Sequence, residues 1–360
     1  MRVAIEATTL CEERPSGIGR YARRLLHALA ALPAGERPDL SAWCRRSYRR
    51  KSSFVQPPEG VPLRLYQEPV WPLWAPCDIL HGVAVRTPRW RGCRRLSSIM
   101  DLTPFLNPGG LDAGHLERDQ RALREAAAHC HGFIAISQAT KDDAVRILGI
   151  PAARVWVTHL GVAGGFRPHS EAEIAPVLAR LDLPRRFLLA VGDLHPRKNL
   201  PRLIEALAAS RAWADAPLVL VGKPSMGGAE QVEAAAARCG LPPTRVRRLS
   251  YVEDGDLPVL YAAAAALCYP SLYEGFGFPI IEAMRSGTPV LTSAVSSCPE
   301  VAGGHAVLVD PADPGAIAAG LERLPDIGAA AREAARVHAD GFTWERCARQ
   351  TVQVYRALMA

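Results

Sequence analysis

Glu274 and Glu282 stand eight residues apart in the run Tyr273-Glu274-Gly275-Phe276-Gly277-Phe278-Pro279-Ile280-Ile281-Glu282-Ala283-Met284. The first follows an apolar stretch, Ala266 to Tyr269, that reads as a strand, and it sits in a glycine-rich loop. The second falls about one turn into a helix that Pro279 is suited to start. Backbone N–H groups at such a helix N-terminus point outward at an anion or a polyol. Two carboxylates flanking it can each grip neighbouring hydroxyls, which is what recognition of a sugar and a ribose requires. The same spacing also fits a plain helix with one acid near its positive end and an unrelated surface acid before it. Other parts of the chain must decide.

A second candidate lies in Gly192-Asp193-Leu194-His195-Pro196-Arg197-Lys198-Asn199, which follows an apolar run. Pro196 stiffens the turn and places Arg197 and Lys198 at the head of a helix. Two cations there, added to the helix N-terminus, suit a diphosphate; a solvated basic pair is the alternative. A third is Ser16-Gly17-Ile18-Gly19-Arg20-Tyr21, where Gly17 and Gly19 let backbone approach a phosphate. It is not a dinucleotide fingerprint, because the third glycine is missing.

The elements that must hold these residues alternate between strand and helix. Val3–Ala7, Asp78–His81, Leu96–Asp101, Phe133–Ile136 and Val155–Thr158 read as strands, with helices over Gly19–Leu32, Asp112–Cys130 and Gln138–Leu148. Gly161 to Pro184 reads as the crossing to a second domain. There the pattern restarts, with strands at Phe187–Val191, Leu218–Val221, Val246–Leu249, Leu267–Tyr269, Val290–Thr292 and Ala306–Val309. Helices over Leu200–Ser210 and Ala229–Cys239 fall between them, and a last one spans Thr343 to Leu358. The fold class is α/β, with two doubly wound sheets that each offer a site at the carboxyl ends of their strands. A cleft between facing sheets is the expected place for a ligand.

A chain of 360 residues with 49% apolar content has enough material for two cores. No run approaches the length needed to cross a bilayer, and Arg2-Val3-Ala4-Ile5 reads as a strand, not a signal peptide. The nine cysteines are scattered, with no Cys-x-x-Cys pair, which fits a reduced cytosol and neither a disulfide framework nor a zinc site. Residues 1–165 carry 23 Lys and Arg against 15 Asp and Glu, while the rest carries 20 against 21, so the net charge of +7 belongs to the N-terminal half. It concentrates in Arg45-Arg46-Ser47-Tyr48-Arg49-Arg50-Lys51 and in Arg86 to Arg95. An anionic membrane face accounts for such clusters, and so does a solvated arginine-rich surface; nucleic acid is not expected as a partner.

Taken in order, Gly17-Ile18-Gly19-Arg20-Tyr21, Pro196-Arg197-Lys198-Asn199, the two glutamates around Gly275-Phe276-Gly277-Phe278-Pro279, and Cys298-Pro299-Glu300-Val301 before Leu308-Val309-Asp310-Pro311 make a set. That set resembles the retaining glycosyltransferases of the GT-B fold, the group one or family four class, over nearly the whole chain. The resemblance implies an acceptor-binding domain over 1–165 and a nucleotide-sugar-binding domain over 166–342, facing across a cleft. The helix over 343–360 would cross back onto the first domain. It implies that Arg197 and Lys198 hold the donor diphosphate as leaving group and that Glu282 grips the ribose. Glu274 would bind a ring hydroxyl of the donor sugar, helped by the backbone of Gly275 to Phe278. Gly17, Ile18 and Gly192 would lie near the phosphates, and Asp101 belongs to the implied catalytic set. Neither metal nor other cofactor is implied.

Members of this class usually carry a His-Asp pair before Leu-x-Pro, whereas this chain reads Met100-Asp101-Leu102-Thr103-Pro104. A thioether cannot donate a hydrogen bond to a six-position hydroxyl, so Met100 suggests a donor lacking that group, such as a 6-deoxyhexose, or else a weakened member. Asp193 also replaces a cationic position of the class. Asp254-Gly255-Asp256 looks like a metal signature but precedes a helix, where Asp is a common N-cap. His195 reads as a structural turn residue or as catalytic, and Ser137 as a helix cap. Trp71, Pro72 and Trp74 line an acceptor pocket or cover a loop. The expectation is a cytoplasmic glycosyltransferase, peripheral at a membrane, that extends a glycan or lipid-linked oligosaccharide as in lipopolysaccharide assembly. A GT-B epimerase or hydrolase, and a non-catalytic nucleotide-sugar-binding subunit, remain as alternatives.

Overall fold

The computed structural model describes residues 1–8, 17–48, 56–67, 76–83, 87–88, 92–106, 113–249 and 252–360. Trp71, Pro72, Trp74, Ser16, Arg49 to Lys51, Arg86 and Arg89 to Arg91 lie outside them. The chain divides into two compact units. Met1–Phe105, Ala113–Gly161 and Thr343–Ala360 form the first, and Val162–Phe342 makes up nearly all of the second.

In the first unit the elements run β1 (Arg2–Glu6), α1 (Gly17–Ala30), β2 (Asp39–Arg45), β3 (Leu63–Tyr66), β4 (Ile79–Gly82), β5 (Arg94–Ile99), α2 (Thr103–Leu106), α3 (Ala113–His129), β6 (Gly132–Ala135), α4 (Gln138–Leu148) and β7 (Val155–Val157). The described strands form one sheet in the order β3-β2-β1-β4-β5-β6-β7, and every pairing is parallel. In the second unit they run α5 (Glu171–Arg180), β8 (Leu188–Val191), α6 (Leu200–Ala209), β9 (Leu218–Val221), α7 (Gly228–Arg238), β10 (Val246–Leu249), α8 (Asp256–Ala263) and β11 (Ala266–Tyr269). Then come α9 (Phe278–Arg285), β12 (Val290–Ser293), α10 (Cys298–Ala302), β13 (Val307–Val309), α11 (Pro314–Arg323) and α12 (Ala329–Asp340), before α13 (Trp344–Met359) returns the chain to the first unit. The second sheet has the order β10-β9-β8-β11-β12-β13, again parallel throughout.

Central strands such as β9 and β11 are buried along their whole length, as a sheet covered on both faces demands. Around β9, Leu203, Ile204 and Leu207 of α6 meet Leu218 and Leu220, with Ile317 and Leu321 of α11 closing the same core. The edge strand β10 instead carries Arg247 and Arg248 and is only half-buried, which blunts it against further pairing. In each sheet the strand order reverses beside the first strand, at β1/β4 and at β8/β11. Ligands of open α/β sheets bind at such points, outside the carboxyl ends.

Three elements depart from the sequence reading. Strands β2 and β3 were not expected, because Asp39-Leu40-Ser41-Ala42-Trp43-Cys44-Arg45 and Leu63-Arg64-Leu65-Tyr66 mix charge into runs too short to show a period. The supposed crossing holds a full helix, α5, started by a capping box of Ser170 and Glu173.

A buried polar network fastens α13 to the first sheet. His81 of β4 bonds Tyr355 through Nδ1 (2.7 Å) and Ser98 of β5 through Nε2 (2.9 Å), and Tyr21 of α1 shares the Ser98 hydroxyl (2.8 Å). Burial pushes the imidazole down to about 3 from its usual 6.5. It is therefore neutral in the fold and protonates once unfolded below about 6.5, so its contribution is present above that pH and is lost as pH falls toward 3. Replacing Tyr355 with Phe leaves a ring nitrogen unpartnered in the core and should cost about 1–3 kcal/mol in denaturant unfolding. Wild-type stability in Y355F would show that the network holds nothing.

Candidate functional site

The site grows from the first strand of the second unit. Gly192, immediately after β8, has φ +132°, and a Cβ there would come within 3.0 Å of Lys198 Cε. Gly222, after β9, is pressed closer still: a Cβ would lie 2.0 Å from the Gly192 carbonyl oxygen. The backbone contact excludes any side chain at Gly222, and at Gly192 the positive φ and the crowding of Lys198 disfavour one. The chain then turns through Asp193 and Leu194 into a 3-10 turn, Pro196–Lys198, capped by His195, whose Nδ1 accepts the Arg197 N–H at 3.1 Å. His195 thus caps this turn through Nδ1.

Asn199 closes the turn in a left-handed conformation (φ +60°) and starts α6. Its Nδ2 donates to the Pro270 carbonyl (3.0 Å) and to the Pro311 carbonyl (2.7 Å). The Leu272 N–H donates to the Arg197 carbonyl at 2.8 Å, and the Arg197 guanidinium donates back to the Tyr273 carbonyl at 3.2 Å. The loops after β8 and β11, neighbours in the sheet, are bound together by backbone and side chain alike.

That fastening brings three charges into contact. Glu274 Oε1 lies 2.5 Å from Arg197 Nη1 and 2.7 Å from Lys198 Nζ, and Lys198 also donates to the Tyr269 hydroxyl at 2.5 Å. Glu274 is 7% exposed and Lys198 9%. The space beneath Lys198 is about 10 Å³, the lower limit for one water. Burial, with the Arg197 charge adding to it, lowers the Lys198 ammonium to about 8 against the pull of Glu274. Burial pushes the Glu274 carboxyl up, but Arg197 and Lys198 outweigh it and hold the group at about 2. Burial, with Glu274 beside it, pushes the Tyr269 phenol well above its ordinary range. At neutral pH the triad carries a surplus positive charge, with Lys198 and Glu274 buried and the Arg197 side chain 22% exposed.

Glu282 lies on α9, half-buried, and its Oε2 accepts from the Tyr261 hydroxyl at 2.8 Å. Gly277 caps that helix with φ +99°, while Phe276 stacks edge-on against Phe278 and Phe342. Arg197, Lys198 and Glu274 are therefore in direct contact, with Gly192 beneath Lys198 and Gly275 to Phe278 leading on to Glu282. Glu274 was expected against a sugar hydroxyl; its carboxylate stands between the two cations. Gly17 and Ile18 open α1 in the first unit. Asp101 is half-buried after β5, and its Oδ1 accepts the Thr103 N–H at 2.9 Å at the start of α2. Met100 beside it is buried.

Ser137 caps α4 as expected, accepting from the Thr140 N–H. Neither Asp254 nor Asp256 caps α8: Gly255 holds that position, and Asp256 pairs with Arg180 at 2.6 Å. Among the described residues, no group of three His, Cys, Asp or Glu is placed to hold a metal ion. The sequence reading missed Tyr269, Tyr261 and the bridging role of Asn199. It also passed over Glu6, buried at the carboxyl end of β1 and bonded by Tyr66 (2.8 Å) and Thr8. Of these, only Asn199 carried a signal, as an asparagine in a turn after two cations.

The family model for glycosyl transferases group 1 matches residues 178–336. Beyond it, the chain is 35% identical over 288 residues to O-antigen chain mannosyltransferase B of Escherichia coli, covering 78% of this chain and 74% of that protein. The chain belongs to the group 1 glycosyltransferases. Its fold is similar to that of sucrose-phosphate synthase from Thermosynechococcus elongatus, with a TM-score of 0.77 at 22% identity over 100% and 99% of the two chains. The Anabaena protein Alr3699/HepE, solved with UDP and glucose, gives 0.73 at 19% identity over 99% and 100%. This glycosyltransferase therefore has the GT-B class of fold, with two Rossmann-like sheets.

Removing one partner of a buried ion pair leaves an uncompensated charge and costs about 3–5 kcal/mol. Glu274→Ala should lose that much in urea unfolding, and adding Lys198→Met should recover part of it. A loss under about 1 kcal/mol, as for exposed pairs, would contradict the geometry.

Proposed function

We propose that this group 1 glycosyltransferase moves a mannosyl residue from a nucleoside diphosphate donor to a hydroxyl of a glycan or lipid-linked oligosaccharide, with retention at the anomeric carbon. The observation that carries the reading is the Arg197–Lys198–Glu274 triad, with Lys198 and Glu274 buried, at the ends of β8 and β11. Two cations against one carboxylate leave a positive surplus suited to a diphosphate. The bond from the anomeric carbon to the β-phosphate oxygen breaks, and Arg197 and Lys198 stabilise the charge that collects on that oxygen. The acceptor oxygen bonds from the same face and passes its proton to the departing phosphate, so no protein nucleophile is needed. Preorganised charge of this kind is worth about 10²–10³ in rate for a single donor group.

When the diphosphate engages the two cations, Glu274 is released to accept a hydroxyl of the sugar. Glu282, oriented by Tyr261, takes the ribose. The name of the Escherichia coli relative supports mannose and an O-antigen acceptor. Mannose keeps its six-position hydroxyl, so the 6-deoxyhexose suggested by Met100 finds no support there. No helix among the described residues is long and apolar enough to cross a membrane. The basic surplus of the N-terminal half supports peripheral contact with an anionic membrane surface displaying the acceptor.

A thermal-shift panel of UDP, GDP, ADP, CDP and dTDP tests the donor site. A nucleotide at about 100 times its Kd adds roughly 2.7 kcal/mol, enough to raise Tm by several degrees. One nucleotide should shift the wild type and fail on Glu282→Ala. Silence across the panel would sink the reading.

A further inference from the structure

Among the described residues, non-glycine positive φ occurs at Asp182, Asn199, Met226 and Ser296. Two of these four adjoin the triad. Asn199 follows Lys198 directly, and Ser296, with φ +54°, lies in the turn between β12 and α10. Serine disfavours this conformation and glycine adopts it freely, so a turn with no other duty would be better served by glycine. What serine adds is its hydroxyl. Ser296 Oγ accepts the Glu274 N–H at 3.1 Å. The next residue, Ser297, is wholly buried, and its single hydroxyl proton is shared between the Glu274 carbonyl (2.9 Å) and the Phe276 carbonyl (2.8 Å). Two consecutive serines thus hold both backbone polar groups of Glu274, the residue whose carboxylate must meet two cations at 2.5 and 2.7 Å.

We propose that Ser296 is a positioning residue of the donor site, kept in a strained left-handed conformation because its hydroxyl must fix the Glu274 amide. Strain retained beside a functional group is the signature of such a role. Ser297 completes the grip from the carbonyl side. The proposal rests on the glycosyl-transfer reading for its kinetic consequence, but not for its structural one.

Ser296→Gly separates the two roles. Glycine relieves the backbone and so offsets the cost of leaving the Glu274 N–H unpartnered. Tm should therefore stay within a few degrees of the wild-type value, while kcat should fall roughly 10- to 100-fold with little change in the donor KM, the scale expected for a small misplacement of a reacting group. Ser296→Asn tolerates the same φ and offers a side-chain carbonyl, and it should recover most of the loss. A glycine variant with wild-type kcat and KM would overturn the proposal.

A second readout needs no turnover. The chain has four lysines, at 51, 141, 198 and 223, so Lys198 can be followed by NMR in protein carrying ¹³C-labelled lysine and assigned through Lys198→Arg. In Ser296→Gly the displaced carboxylate should let the Lys198 titration move to lower pH. Identical titrations in the wild type and the glycine variant would refute the positioning role. Absence of sugar transfer by the wild type would instead count against the functional reading, leaving this test intact.

Discussion

The structure of the second unit is organised around one buried contact, the Glu274 carboxylate between Arg197 and Lys198. Three charges out of water are costly, and their mutual attraction repays that cost only with close geometry and added hydrogen bonds. The surrounding chain supplies both. Gly192 and Gly222 clear the space, Asn199 ties the cationic turn to two carbonyls, and the Tyr269 hydroxyl accepts a further hydrogen bond from Lys198. A stable apolar core would not need such an arrangement. Under the proposed function, this arrangement at the carboxyl edge of the sheet is an anion site that carries its own counter-charge until a ligand replaces it.

The parallel sheet makes the contact attainable. Strands β8 and β11 are neighbours in space although more than 70 residues separate Arg197 from Glu274. Because the strand order reverses there, the loops after β8 and β11 leave side by side instead of being covered by the same crossover. The first unit repeats the topology about β1 and β4 and is closed by α13, whose Tyr355 reaches the buried His81. The same architecture thus serves two ends, a polar lock in one sheet and a charged site in the other.

Most of the fold was legible because parallel strands are short, apolar and regularly spaced. The strands that escaped notice, β2 and β3, lie toward one edge of the first sheet and mix Ser, Arg and Asp with apolar residues. Helix α5 escaped because its glycine- and proline-rich approach resembled a linker. The charged residues of the site were legible through resemblance and spacing, but their contact was not. Nothing local in Tyr269, Tyr261 or Ser296 announces a partner, since each acts on a residue brought close only by the fold. Glu274 teaches the same lesson: its position was foreseen, and its pairing with both cations was not.

The central claim is that the buried cations of the triad take the donor diphosphate. Calorimetry of nucleoside diphosphate binding at about pH 8.5, in buffers of different ionisation enthalpy, tests it most directly. Lys198, held at about 8, is largely neutral there, and an arriving anion should favour its charged form. The account predicts net proton uptake on binding, lost in Lys198→Met, and affinity that weakens as pH rises past 8. Binding without proton uptake, unchanged by that substitution, would place the diphosphate elsewhere and contradict the account.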